Sequence, residues 1–407
     1  MTLAEAVIGA MFLGLTAYAL FGGADFGAGF WDLLAGGDVR GAPSRRLIEH
    51  AIGPVWEANH VWLIFVLVVL WTGFPPAFAA VASTLYVALT LAAFGIIVRG
   101  SAFAFRHSMT QVGLQRLFGA GFALSSVLTP FFFGTVAGAI ASGRVPSGIA
   151  AGEVIGSWLN PTGILGGVLA VGTCAYLAAV FLCGDALREG HPDLADSFRV
   201  RGLVTAVAVG AVALVGIAVI VADAPGLADG LTGRGLPLVL LSGAAGVGSM
   251  ALLHRRRYGA ARIAAALAVT AVLWGWAVAQ YPDILPGHLT IEEAAAGRST
   301  LVAMLVSLAI GSVLLLPALY LLYALFQRPQ PALAGHPDPG PPTAAGTSVG
   351  GDPRRAAGTA ALAADGRRAE RGRDAERHRG PVRAAALHLA GEALGALWRR
   401  RRRASGS

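Results

Sequence analysis

The sequence has no lysine and almost no cysteine, and charged residues make up only 13% of its 407 residues. Its two cysteines, Cys174 and Cys183, lie in one apolar run at a spacing that puts them on opposite faces of a helix, which excludes a CxxC redox site. Phosphate-binding loops, zinc-ligand spacings and nucleophile triads are also missing from the sequence. The absence of these motifs argues against the catalytic sites that are common in soluble enzymes.

Apolar residues dominate what remains. They account for 55% of the chain, and the mean hydropathy is +0.65. Glycine is abundant at 55 residues, which suits helices that pack closely in lipid. These values indicate a polytopic membrane protein.

The positive charge is concentrated at the C-terminal end. Residues 329–407 hold 14 arginines against 7 acidic residues, so most of the net charge of +8 lies there. Nucleic-acid binding is therefore not indicated. We predict a membrane domain over residues 1–328 and a cytoplasmic tail rich in Pro, Gly, Ala and Arg over 329–407. The tail is expected to be disordered, although residues 384–403 could instead form a basic helix on anionic lipid.

Nine apolar segments predict an all-α fold with about nine transmembrane helices. They cover residues 4–21, 52–71, 77–98, 117–141, 163–183, 202–221, 236–253, 263–280 and 301–326. The N-terminus lacks a basic region and carries Glu5, so we interpret the first segment as a permanent helix rather than a cleaved signal. Pro75 and Pro76 predict a tight hairpin between the second and third segments.

Arginine counts in the loops predict the orientation. The odd-numbered loops hold thirteen arginines and the even-numbered loops hold three. By the positive-inside rule, the N-terminus lies outside and the C-terminus is cytoplasmic.

The second segment carries ionisable groups that lipid disfavours. Glu57 and His60 lie near its predicted cytoplasmic end, and Asp25 lies near the inner end of the first segment. Such groups usually face a bundle interior or a water-filled path, so all three are candidates for a proton pathway. For Asp25, a helix-end turn is an equally good interpretation.

Several neighbours complete a candidate polar network. Glu57 and His60 are three residues apart and could share a proton, while Trp56 and Asn59 share a helix face with His60. His60 could alternatively ligate a haem, but no second His lies within a membrane segment. Arg99 could pair with Glu57 or with a polar head group. We therefore predict that Trp56, Asn59 and Arg99 belong to a polar network or contact a quinone or lipid, and we predict no metal site.

These residues occur in motifs that resemble subunit II of the cytochrome bd-type quinol oxidases. The resemblance covers about residues 1–328 and depends on several motifs in order. They are Gly22–Gly29, Gly53–Leu63, Phe74-Pro75, Arg99 to Arg106, Leu159-Asn160-Pro161, Gly275–Pro282 and Leu301.

The resemblance implies a bacterial inner-membrane oxidase that couples quinol oxidation to the reduction of oxygen to water. It implies a larger subunit I that carries the haems, both haem b and haem d, and it allows for a small single-helix subunit. Its fold would be two four-helix bundles plus one peripheral helix. The role implied for this chain is to scaffold subunit I and to help deliver protons from the cytoplasm.

Four positions depart from the family pattern. Glu57 stands where the family usually has Asp, His60 where Glu or Gln is frequent, Ala58 where Gly is usual and Ala104 where an acid is common. Glu57 keeps a titratable group, so the resemblance still implies a place on the proton route. The departures leave open whether the chain belongs to the cyanide-insensitive branch.

A standalone secondary transporter is the alternative from a different class. Nine helices and intramembrane polar residues are compatible with it. Transporters, however, usually show polar or broken segments in both halves, and the second half here is almost featureless.

Overall fold

The computed structural model describes residues 1–37, 40–52, 56–106 and 112–326. The predicted tail, 329–407, lies outside these residues, and so do Gly53, Pro54 and Val55 of the second-segment motif. The disorder predicted for the tail therefore stays a prediction.

Helices form nearly all of the described chain, in agreement with the predicted all-α class. The helices are α1 (Leu3–Ala17), α2 (Gly23–Leu33), α3 (Ala42–Ile52), α4 (Trp56–Gly73), α5 (Pro75–Thr84), α6 (Tyr86–Arg106), α7 (Val112–Ala141), α8 (Pro161–Arg188), α9 (Pro192–Asp223), α10 (Pro225–Thr232), α11 (Leu236–His254), α12 (Tyr258–Gln280), α13 (Ile291–Ala294) and α14 (Arg298–Phe326). A short antiparallel hairpin of β1 (Asp283–Leu285) and β2 (Leu289–Thr290) follows α12.

Eight helical spans in the described residues are long and apolar enough to cross a membrane, and a ninth results if the bent pair α4–α5 is one span. This confirms a polytopic membrane protein. The orientation and the division into two four-helix bundles stay predictions.

The first span is longer than predicted. Instead of ending at Phe21, the helix continues through a π-helical turn, Tyr18–Gly22, and ends at Leu33. The apolar run stops at Phe21, but Gly22 and Gly23 beyond it keep helical dihedrals. Asp25 consequently lies inside a buried helix, and the interpretation as a helix-end turn residue is wrong.

The predicted tight hairpin at Pro75-Pro76 is also wrong. Those prolines begin a separate helix, α5, whose axis is bent by 119° from α4. Proline is favoured in the first turn of a helix because its missing N–H has no partner there. The next span, α6, begins only at Tyr86, nine residues later than predicted.

Two apolar cores hold the membrane domain together. One lies around α2, α3, α8, α9 and α12 and includes Trp31, Leu177 and Phe198. The other lies around α1, α5 and the hairpin and includes Val7, Phe74 and Leu285. By contrast, α9 and α14 are poorly buried, because only 6% of the apolar 18-residue stretch of each helix lies in the interior. Both helices therefore offer most of their surface to lipid or to another protein.

Candidate functional site

Four helices bring polar side chains together inside the membrane domain. Asp25 comes from α2, Asn59 from α4, Arg99 from α6 and Ser126 from α7, and each is at most 6% exposed. Asn59 Nδ2 donates to Asp25 Oδ2 over 2.6 Å. We call these four residues the Asp25 cluster.

Arg99 bonds to backbone and hydroxyl groups in this cluster. Its Nη2 donates to the backbone carbonyl of Asp25 over 2.7 Å, and its Nη1 donates to Ser126 Oγ. The Ser126 hydroxyl in turn donates to the carbonyl of Phe122 over 2.6 Å. The expected pairing of Arg99 with Glu57 or with a head group is therefore replaced by interior bonds.

Aromatic rings surround the buried guanidinium. Its Cζ lies 4.8 Å from the ring centre of Phe26 and 4.5 Å from that of Phe122. A desolvated cation on an aromatic face gains about 2 kcal/mol, which offsets part of the cost of burying Arg99. The opposite charge of the Asp25 carboxylate in the same cluster offsets more of that cost.

Gly29 makes the close approach of these helices possible. A Cβ atom at this position would lie 2.1 Å from Ser126 Oγ and 3.0 Å from Arg99 Nη1. Gly27 is similarly constrained, because a Cβ there would lie 1.8 Å from the carbonyl oxygen of Cys174 on α8. The glycines of the predicted motif thus allow α2 to approach both α7 and α8.

His60 points into the same region but makes aromatic contacts. Its ring meets Tyr18 edge to face with centres 6.2 Å apart, and it meets Phe26 with centres 6.0 Å apart. Phe26 therefore lies against both His60 and Arg99. These rings pack directly against the imidazole.

Glu57 faces the other way. It lies in the first turn of α4, and its side chain is exposed. The sharing of a proton between Glu57 and His60 stays a prediction. Trp56 begins α4, but its side chain lies outside the described part of the chain.

Glu57 begins a row of exposed residues along α4. Val61, Ile64, Val68 and Trp71 are 50%, 59%, 49% and 64% exposed, at alternating spacings of four and three residues. Such spacing forms one straight seam along a helix, of the kind that packs against another helix. We call Glu57, Val61, Ile64, Val68 and Trp71 the α4 seam.

A second polar network, at the opposite end of the spans, was not predicted. Asp223 at the end of α9 accepts bonds of 2.6 and 3.0 Å from Arg144, and it accepts from the N–H and hydroxyl of Thr162. Asn160 caps α8 by accepting from Gly163 N–H and also accepts from Arg144. Of these residues, only Asn160 belonged to a sequence motif, because a lone Asp at a helix end carries no distinctive signal.

These features define a multi-pass α-helical membrane protein with a charge-compensated polar cluster in its interior and an apolar seam that begins at Glu57 on its surface. A family model described as cytochrome bd terminal oxidase subunit II matches residues 3–326. The chain therefore belongs to the subunit II family of cytochrome bd terminal oxidases, whose members are proteins of the bacterial inner membrane.

Individual relatives agree with this assignment. The chain is 28% identical over 209 residues to the cytochrome bd-I ubiquinol oxidase subunit 2 of Escherichia coli, covering 49% of this chain and 53% of the relative. It is 26% identical over 161 residues to the cytochrome bd ubiquinol oxidase subunit 2 of Bacillus subtilis, covering 39% and 47%. The matched region spans about half the length of each of these relatives.

A solved structure is similar over a larger part. It is the bd oxidase from Geobacillus thermodenitrificans, with a TM-score of 0.63 and 26% identity. The match covers 80% of this chain and 99% of the other.

Proposed function

We propose that this chain is the non-haem core subunit of a terminal oxidase that oxidises quinol and reduces oxygen to water. In this proposal a subunit I holds haem b and haem d, and the present chain scaffolds that subunit and delivers cytoplasmic protons toward it. The family assignment and the ubiquinol oxidase names of the relatives support the proposal. A small single-helix subunit is compatible with it.

The α4 seam is the observation that carries the proposal. A carboxylate facing hydrocarbon is costly, so the exposed Glu57 at the start of this row needs a partner surface or water rather than lipid. The spacing of Val61, Ile64, Val68 and Trp71 suits a second helix packing along α4. Subunit I is the partner that a subunit II family implies.

The first turns of α4 also connect this surface to the interior. Two residues beyond Glu57, Asn59 donates to the buried carboxylate of Asp25. We propose that Glu57 takes up a proton at its carboxylate on the partner-facing side. Asp25 and Asn59 would form the polar environment on the interior side of Glu57, and Arg99 would balance the charge of Asp25. The haems would supply the oxygen chemistry when bound in the partner.

Family membership disfavours the alternative of a standalone transporter. The buried polar cluster also belongs entirely to α2, α4, α6 and α7, in the first half of the chain. Transporters with repeated halves usually place such residues at the interface of both halves.

The decisive experiment compares Glu57→Gln with the wild type in the purified complex. Loss of a positioned proton carrier should slow quinol-driven oxygen uptake by about tenfold or more and leave the visible haem spectrum unchanged. Glu57→Asp should restore most of the rate. The matched control is Glu153→Gln, which removes an exposed carboxylate from a loop.

Two results would contradict the proposal. Wild-type turnover in Glu57→Gln would remove Glu57 from the proton route. A purified complex without haem absorption would reject the oxidase assignment as a whole.

A further inference from the structure

A half-buried arginine at the arginine-rich end of the spans, Arg201, makes no ion pair with another described residue. Arg201 lies about two and a half turns into α9, and its Nη1 is shielded from solvent. Within the described residues, this nitrogen donates to no hydrogen-bond acceptor. A shielded donor nitrogen of a charged group is costly without an acceptor, and an anionic oxygen is the acceptor that suits a guanidinium.

Aromatic side chains fix the position of the guanidinium. Its Cζ lies 4.9 Å from the ring centre of Phe198 and 5.6 Å from that of Trp31. The Trp31 ring is itself held by a hydrogen bond of 2.8 Å from its Nε1 to the carbonyl of Ala175. The arginine is thus supported by two rings from α2 and α9, with the donors of its planar fork left for another group.

Carboxylates at the same end of the protein are engaged elsewhere. Asp32 pairs with Arg45 at 3.2 Å, and Asp185 pairs with Arg188. Asp196 is shared by Arg199 at 3.3 Å and by Arg256 at 3.0 Å. Because Arg199 and Arg256 share the single carboxylate of Asp196, this end keeps an excess of positive charge.

The surface beside Arg201 is apolar and unburied. Val204 and Val207 follow it along α9 and are 64% and 63% exposed, as expected for a helix face that contacts acyl chains. A cation at one end of such a strip matches the layout of a phospholipid, with the phosphate at Arg201 and a chain along the valines.

We propose that Arg201, with Trp31 and Phe198, binds a phosphate ester anion, and that its source is the head group of an anionic membrane phospholipid. The site is separate from the Asp25 cluster and from the α4 seam, and it does not depend on the proposed proton route. Planar arginine suits phosphate because it can donate two parallel hydrogen bonds.

The test uses the purified full-length chain with its co-purifying subunits in nanodiscs of phosphatidylglycerol or phosphatidylcholine. Phosphatidylglycerol should raise the Tm of the wild type relative to phosphatidylcholine, and Arg201→Gln should lose most of that rise. Arg257→Gln, which removes an exposed arginine at the same end, should keep it. Arg201→Lys should keep only part of it, because lysine lacks the planar fork.

The remaining outcomes decide against the proposal. If millimolar inorganic phosphate in phosphatidylcholine discs reproduces the rise, the site takes free phosphate and the lipid source is wrong. An equal loss in Arg201→Gln and Arg257→Gln would indicate general surface charge, and an undiminished rise in Arg201→Gln would reject the site.

Should Arg201→Gln fail to assemble, the wild-type protein alone decides. A photoreactive phosphatidylglycerol should then label peptides that contain Trp31 or residues 198–207 above the rest of this face. Uniform labelling, or labelling confined to other spans, would overturn the proposal.

Discussion

Asn59 donates a 2.6 Å hydrogen bond to the carboxylate of Asp25, and this bond joins α4 to α2 inside the membrane domain. Both residues are almost fully buried. The bond satisfies one oxygen of a carboxylate that water does not reach. Arg99 then holds the backbone of the same residue, so α2 is fixed at Asp25 from two sides.

Asn59→Ala should destabilise the membrane domain. The substitution leaves a buried carboxylate oxygen without its donor, at a cost of about 1–3 kcal/mol. The measurement is the Tm of the purified complex, with Asn59→Gln as a variant that keeps the amide on a longer side chain. An unchanged Tm in Asn59→Ala would show that another donor replaces the amide.

Gly29→Ala should prevent α2 and α7 from packing at their present distance. The new methyl group would overlap Ser126 and crowd Arg99, and overpacking of this kind typically costs about 1–3 kcal/mol. Gly37→Ala is the control, because a Cβ there meets no atom within 4 Å. Membrane yield and Tm should fall for the first variant only, and equal effects in both would argue against the close contact.

Sequence alone identified the spans and several members of the Asp25 cluster. Long apolar runs predict membrane helices directly, and Asp25, Asn59 and Arg99 stood out because charged or amide groups are rare in such runs. Their hydrogen-bond partners could not be predicted from the sequence, because the bonds join segments that are far apart in the chain. Ser126 was missed because a serine in an apolar helix carries no special signal.

Local signals misled where tertiary contacts prevailed. The apolar run predicted an end of the first helix at Phe21, yet the π-helical turn carries the helix past Gly22 and Gly23 to Leu33. The closeness of α8 explains a glycine one turn further on, because a Cβ at Gly27 would lie 1.8 Å from the carbonyl oxygen of Cys174. Glycine therefore marks close helix packing at Gly27 rather than a turn.

A polar substitution in the α4 seam should affect co-purification of the haem-bearing subunit more than the same substitution on α9. Ile64→Asn places an amide in the middle of the proposed partner contact and should reduce co-purification of the haem-bearing subunit. Leu214→Asn introduces the same group at an exposed position of α9, where 71% of the leucine is exposed, and should leave co-purification intact. Equal loss in both variants would point to faulty membrane insertion rather than to an interface.

Asp223→Asn should loosen the ends of α7, α8 and α9 that meet at Asp223. The substitution removes the charge that accepts two bonds from Arg144, and hydrogen bonds to charged groups are each worth about 1.5–3 kcal/mol. Asp229→Asn, on the neighbouring helix α10, is the control because no ion pair to Asp229 occurs among the described residues. A lower Tm for Asp223→Asn with normal haem content is expected, whereas equal Tm values would show that Thr162 and Asn160 suffice to hold these ends.

The start of α13 supplies a prediction on pH. Glu293 accepts bonds from the backbone N–H and the hydroxyl of Thr290, and the first of these in particular holds the pKa of Glu293 below its ordinary value. A depressed pKa in the folded state means that the carboxylate stabilises the fold above the unfolded-state pKa and loses this contribution as pH falls through the folded-state pKa. The Tm difference between wild type and Glu293→Gln should therefore be present at pH 7 and shrink toward pH 4. Glu292→Gln is the control, because Glu292 makes no capping contact, and its Tm should match that of the wild type at each pH. A difference that stays constant across this range would show that the cap does not depend on charge.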